Sequence, residues 1–125
     1  MEDEFVYNDK SYRIIGICME IHRILGKGYL ESVYKDALEY ELKLNKIPYE
    51  REKKFLIKYK NIFLNHFYIS DFIVYDKIIM EIKCCNGISN GHIKQTLNYL
   101  AVLKLKLGLI INFGEDSLKT KRIVL

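Results

Sequence analysis

The apolar residues Ile14, Ile17, Cys18, Ile21, Ile24 and Leu25 recur at the three- and four-residue spacing of a helix face, and Gly26-Lys27-Gly28 ends the pattern. A second helix is predicted from about 29 to about 45, with Leu30, Val33, Tyr34, Ala37, Leu38 and Leu42 on one broad face. Pro48, the only proline, marks a change of structure. From 49 to 60 the pattern turns to alternation, Phe55, Ile57 and Tyr59 against Lys54, Leu56 and Lys58, which predicts a strand. Residues 63–75 and 78–84 predict two more strands, apolar on both faces, so the sheet is expected to be covered on both sides. A loop at 86–91 precedes a helix carrying Ile93, Leu97, Leu100, Ala101, Val102 and Leu103, expected to run to about Leu107. A buried strand at 109–113 and an edge strand at 122–125 complete the chain. The order α-α-β-β-β-α-β-β predicts an α/β (α+β) fold, a mixed central sheet flanked by helices, in one domain over residues 1–125.

Composition narrows this picture only slightly. Hydrophobic residues are 50% and charged residues 29% of the chain, ordinary for a globular protein and against general disorder. The apolar runs are too short to span a bilayer, so no membrane partner is expected. The acidic start Met1-Glu2-Asp3-Glu4 is unlike a secretory leader, and three cysteines, two of them adjacent, make a disulfide framework an unfavoured reading. Reduced packing cysteines and a cytoplasmic setting are expected. A net charge of +4 favours approach to a polyanion without identifying one.

The chemistry concentrates in Asp71 and in Glu81-Ile82-Lys83. Glu81 and Lys83 are two apart on a strand and leave the same face. Asp71 joins them only in one register. A turn through Asp76-Lys77 alone sets Asp71 opposite Ile82 and points it away, whereas a three-residue connection through Tyr75-Asp76-Lys77, or a bulge, sets it across from Glu81. Two carboxylates so placed suit Mg²⁺, with Mn²⁺ as a substitute, and a lysine beside them can steady a nucleophile or neutralise developing charge. The competing reading is a surface salt-bridge ladder. The apolar surroundings Ile78-Ile79-Met80 and Ile82 disfavour it, because charges inside a covered sheet are costly unless paired, metal-bound or in a cleft.

Other residues are weaker signals. Glu31 opens the second helix, either as a third carboxylate or as an acid complementing the helix dipole, and the spacing leaves both open. Gln95 and Tyr99, one helical turn apart, share a face from which they can contact phosphate or orient Lys83. His22, His66 and His92 lack the spacing of a metal motif, and His22, on an apolar face, reads as structural. Lys53-Lys54, Lys58, Lys60, Lys119, Lys121 and Arg122 are compatible with backbone contacts to nucleic acid or with solvated strand edges.

Taken together, Asp71, Glu81-Ile82-Lys83 and Gln95-Thr96-Leu97-Asn98-Tyr99 resemble the PD-(D/E)XK nuclease superfamily, in particular its RecB-like branch with a QxxxY helix. The stretch from His22 to Tyr34, with Gly108 to Gly114, resembles the small GxxExxR proteins of that superfamily. The resemblance implies a restriction-endonuclease-like core and a Mg²⁺-dependent nuclease acting on nucleic acid, DNA before RNA. It implies metal ligation by Asp71, Glu81, the Ile82 carbonyl and Glu31, catalysis by Lys83, and Gln95 and Tyr99 near the site. Ser70 stands where the superfamily name has proline, and Tyr34 where the GxxExxR name has arginine, which removes a phosphate-binding cation from that helix. The alternative from another class is a nuclease-fold module that binds nucleic acid or a protein without cutting. A homodimer is compatible with either, since two-fold symmetry suits double-strand cutting.

Overall fold

A computed structural model describes residues 7–125; the acidic start at 1–4 lies outside them. The elements are α1 (Asn8–Leu25), α2 (Glu31–Leu44), β1 (Tyr49–Tyr59), β2 (Ile62–Val74), β3 (Ile78–Lys83), α3 (Asn90–Leu103), β4 (Leu107–Asn112) and β5 (Lys119–Val124). This is the expected order. The five strands form one sheet in sequence order, antiparallel except for β3 beside β4, and α3 supplies the crossover that a parallel pair needs. The fold is the α+β, restriction-endonuclease-like arrangement.

Alternation in the strands divides the core into two layers. Phe72, Val74, Ile78, Met80, Ile82, Leu109 and Ile111 face α1 and α2, meeting Ile14, Ile17, Cys18, Ile21, Tyr34, Leu38 and Leu42. Ile73, Ile79, Ile110 and Ile123 face α3 and meet Leu100, with Ile93 and Leu97 packed beside it. All three cysteines are free, and Cys18 is in the core. Among the described residues no helix is long and apolar enough to cross a membrane.

Three expectations need correction. The last helix stops at Leu103 rather than near Leu107, because Lys104 turns into the left-handed region (φ 57°), and Leu107 already pairs with Ile78 in the sheet. The edge strand starts at Lys119, since its alternating lysines hid a register that pairs all six residues with β4. The sheet is covered on both sides only over its inner half. At about 3.3 Å per residue the 13-residue β2 reaches about 43 Å, while 14-residue α3 reaches about 21 Å at 1.5 Å per residue. The outer β1–β2 hairpin therefore projects, with Leu56, Ile62, Phe63, Phe67 and Ile69 exposed.

Gly16 and Gly114 test this packing in opposite directions. Gly16 lies mid-helix with open space at its missing Cβ, whereas a Cβ on Gly114 would fall 2.4 Å from the Cys85 nitrogen and 2.6 Å from its carbonyl oxygen. Gly16→Ala is expected to stabilise by about 0.5–1 kcal/mol, and Gly114→Ala to destabilise by about 1–3 kcal/mol. Urea unfolding of both variants checks the pair.

Candidate active site

The β2–β3 connection uses Tyr75, Asp76 and Lys77. Tyr75 and Asp76 both take left-handed conformations (φ 56° and 57°), and Lys77 N donates to Val74 O at 3.0 Å to close the turn. Phe72 pairs with Met80, Ile73 with Ile79 and Val74 with Ile78, a register that carries Asp71 to a place across from Glu81. This register turns both carboxylates to the same face. Asp71 Oδ2 accepts a 2.7 Å bond from Ile82 N, so a side chain replaces the next backbone partner and locks the carboxylate beside Glu81.

On its other side Asp71 departs from regular pairing. The β1–β2 ladder runs from Arg51–Phe72 to Lys53–Ser70 and skips Glu52, which lies in the left-handed region (φ 55°). Such a conformation costs a non-glycine residue about 1–2 kcal/mol. Across this point the two strands exchange faces. Arg51 lies over the Phe72 ring on the α2 side, whereas Phe55 and Tyr68, which strict alternation would keep there, turn to the α3 side. Tyr68 then stacks on Tyr99 of α3, with centroids 4.0 Å apart and planes 12° apart.

Lys35 of α2 lies at the break. Its Nζ is 2.8 Å from Asp71 Oδ1, 3.8 Å from Glu52 and 3.9 Å from Glu31, one turn back on the same helix. Burial pulls the Lys35 ammonium toward deprotonation, but the bond to Asp71 and the surrounding acids outweigh it and its pKa is raised. Among the described residues Glu81 has no such ammonium in bonding contact. It is 4% exposed, and its Oε1 is buried with no hydrogen-bond partner among them. Desolvation first, then the negative charge of Asp71, push its pKa up to about 9, against a smaller pull from the Lys83 ammonium.

The far wall is aromatic. Desolvation, then the charge of Glu81, raise the pKa of both Tyr68 and Tyr99, the latter to about 12, so both are protonated phenols beside the carboxylates. Beside Lys83, its pairing partner Asn112 on β4 is fully buried. Its Oδ1 accepts from Cys85 N at 3.1 Å and Gly114 N at 3.0 Å, and its Nδ2 donates to Cys85 O at 2.9 Å and Glu115 Oε2 at 2.8 Å. This clasp fixes the backbone just after Lys83.

The site residues expected from the chain thus fall unequally. Asp71, Glu81 and Lys83 come together on β2 and β3, with Tyr99 beside them. Gln95 is exposed on α3, one turn before Tyr99. Glu31 reaches the group through Lys35, and its charge is felt at Cys84, whose pKa burial raises first. Among the described residues no three His, Cys, Asp or Glu side chains form a metal-holding group. Tyr34, in the position where arginine would be a cation, is core. It is fully buried, stacks on Phe113 at 4.5 Å and donates to Gly26 O at 2.6 Å. His22 is structural, its Nε2 2.9 Å from Glu115 O.

Lys35, Tyr68 and Asn112 escaped the reading of the chain. Lys35 had a signal in its four-residue spacing from Glu31, and Asn112 in being the one polar residue of an apolar strand. Tyr68 had none, because its side chain changes face only through Glu52.

Two carboxylates and a lysine thus meet on adjacent strands of the sheet, backed by a helix. Residues 8–123 match the PD-(D/E)XK nuclease superfamily, and the chain belongs to it. No curated protein matches the chain. Among solved structures, the crystal structure of SSO0001 is similar, with a TM-score of 0.58 and 23% identity over 74% of this chain and 48% of that one. The chain thus spans about half that protein's length, and the likeness is one of fold.

The buried Glu81 makes stability depend on pH. Its folded pKa lies above its unfolded value, so the folded state holds the extra proton between the ordinary carboxylate range and about 9. The contribution is complete below the unfolded pKa and lost as pH rises through the folded one. In buffer containing EDTA, wild-type stability is expected to fall over this window, and Glu81→Gln, neutral throughout, to flatten the fall. Thermal melts at intervals from pH 5 to pH 9 measure both slopes.

Proposed function

We propose that the protein is a Mg²⁺-dependent nuclease, with Mn²⁺ as substitute, that hydrolyses phosphodiester bonds in DNA. The observation that carries this reading is the Glu81 carboxylate, buried beside Asp71 with one oxygen unpartnered. Two acids held together in a buried site repel each other, and a small divalent cation relieves that cost while taking the oxygen ligands it prefers. The donor set therefore fits such an ion. Asp71, Glu81 and the Ile82 carbonyl would hold it, with Glu31 as a further acid. When bound, the cation supplies a hydroxide near neutral pH and offsets charge on the phosphate.

The chain's own groups do the remaining work. Ile82 N fixes the orientation of Asp71, and the Asn112 clasp fixes the segment that carries Lys83. Lys83 neutralises charge that develops on the phosphate oxygens. Tyr68 and Tyr99 exclude water from one side and, as phenols, can donate to an oxygen of the substrate. Gln95 is assigned to phosphate contact. Lys35, at 2.8 Å from Asp71, competes with a bound cation for that carboxylate and, freed from it, would face the substrate. The assignment extends to the RecB-like, GxxExxR branch, to a single domain acting in the cytoplasm, and to a homodimer.

One observation favours a second reading, a nuclease-fold module that binds without cutting. The Lys35 ammonium at 2.8 Å already neutralises Asp71. Calorimetry with Mn²⁺ separates the two. A nuclease binds the ion, and Lys35→Met binds it more tightly, because a competing cation is gone; a binding module shows no uptake in either protein.

Purified protein with Mg²⁺ or Mn²⁺ is expected to degrade DNA, and Asp71→Asn and Lys83→Ala to lower the rate at least about 100-fold. Gel assays with parallel purifications check this. Equal rates in the variants would identify a contaminant and end the nuclease reading.

A further inference from the structure

A cavity of about 690 Å³ opens between the outer β1–β2 hairpin and α3, walled by Ile57, Tyr68, Gln95, Asn98, Tyr99 and Val102. Its size falls within the range of small-ligand sites, roughly 300–1,000 Å³. We propose that this cavity takes an unpaired base of a single-stranded nucleic acid whose backbone crosses the Asp71–Glu81 site. The proposal rests on the nuclease reading and adds the class of substrate.

Four observations converge on this occupant. The first is the wall itself, where two parallel rings and two aliphatic side chains present flat apolar surface of the kind on which bases stack, in any sequence. The second is the polar complement. Gln95 and Asn98 each offer a donor and an acceptor, matching base edges in a way an aliphatic ligand would not use. The third is charge. Lys94 lines the cavity and, among the described residues, no acidic residue does, while Lys53, Lys54, Lys58 and Lys60 follow along the hairpin, a surface suited to a polyanion. The fourth is position. Tyr68 and Tyr99 belong to both sites, lining the cavity and standing close enough to Glu81 to feel its charge.

The backbone supports the same use. The β1–β2 register shifts between Leu56 and Lys58, leaving Ile57 out of the ladder, and Ile57 is the hairpin's aliphatic contribution to the wall. A base inside a duplex must be unstacked and unpaired before it can enter, a cost of a few kcal/mol, whereas a single strand pays far less. The cavity therefore selects unpaired over paired substrate.

Fluorescence anisotropy in EDTA, where no cutting occurs, tests this with a labelled oligothymidylate and a blunt duplex of equal length. The single strand is expected to bind at least about 5-fold more tightly. Val102→Trp, at a position 45% exposed, fills the cavity without disturbing the core. That variant and Asn98→Ala are each expected to lose at least about 5-fold in single-strand affinity while duplex affinity and Mn²⁺ uptake stay unchanged. Equal wild-type affinity for both strands, or unchanged single-strand affinity in Val102→Trp, overturns the proposal. So does a nucleic-acid-free dimer in sedimentation that Val102→Trp dissociates, since a second copy would then cover the cavity. The two readings fail separately. Absent Mn²⁺ uptake and undiminished cleavage in Asp71→Asn remove the nuclease reading while a Val102→Trp loss still stands; intact metal-dependent cleavage with no Val102→Trp effect removes only the base site.

Discussion

The site depends on one constraint, two carboxylates on neighbouring antiparallel strands made to share a face. Antiparallel pairing allows this in only half of the available registers, and the choice is made at the far end of the hairpin by the number of residues in the turn. Tyr75 and Asp76 both accept left-handed backbone to make a three-residue connection, an unfavourable conformation for tyrosine in particular. The strain at the turn is offset by sheet pairing and by apolar packing of Ile73, Val74, Ile78 and Ile79 on both faces. The placement of Asp71 opposite Glu81 is thus fixed by core energetics several residues away.

Having brought the acids together, the fold compensates them unequally. Asp71 receives a backbone N–H and the Lys35 ammonium, while Glu81 keeps an unsatisfied oxygen and a pKa raised by burial and by Asp71. Buried polar groups are almost always partnered, so an orphan at the centre of a sheet marks a place built for something else. Around it the backbone is closely held. The Asn112 clasp and the close approach of Gly114 to Cys85 hold the strand end, so little of the site's discomfort can relax by movement of the backbone.

The outer hairpin shows how a local irregularity creates a surface. Left-handed Glu52 interrupts pairing opposite Asp71 and reverses which faces of β1 and β2 look toward α3. Phe55 and Tyr68 consequently turn toward the helix, Tyr68 meets Tyr99, and a cavity is left where the strands outrun α3. One residue's conformation thus shapes both the wall of the carboxylate site and the adjoining hollow.

The chain by itself determined the element order, the two-layered core and the identities of Asp71, Glu81 and Lys83, because hydrophobic period and short-range spacing are local properties. It also stated the condition on the hairpin, though not its outcome, since either turn length satisfies local preferences and only competition between packed registers chooses. Element ends and the uncovered hairpin were hidden for a related reason, as they depend on where a helix of given length lies on a longer strand. The roles of Lys35, Tyr68 and Asn112 were decided in three dimensions, although the spacing of Lys35 from Glu31 and the lone polarity of Asn112 in its strand were local signals. Lys35 is far in sequence from the Asp71 carboxylate it neutralises, Tyr68 faces the site through a break in another strand, and Asn112 is satisfied by backbone groups that no spacing rule connects to it.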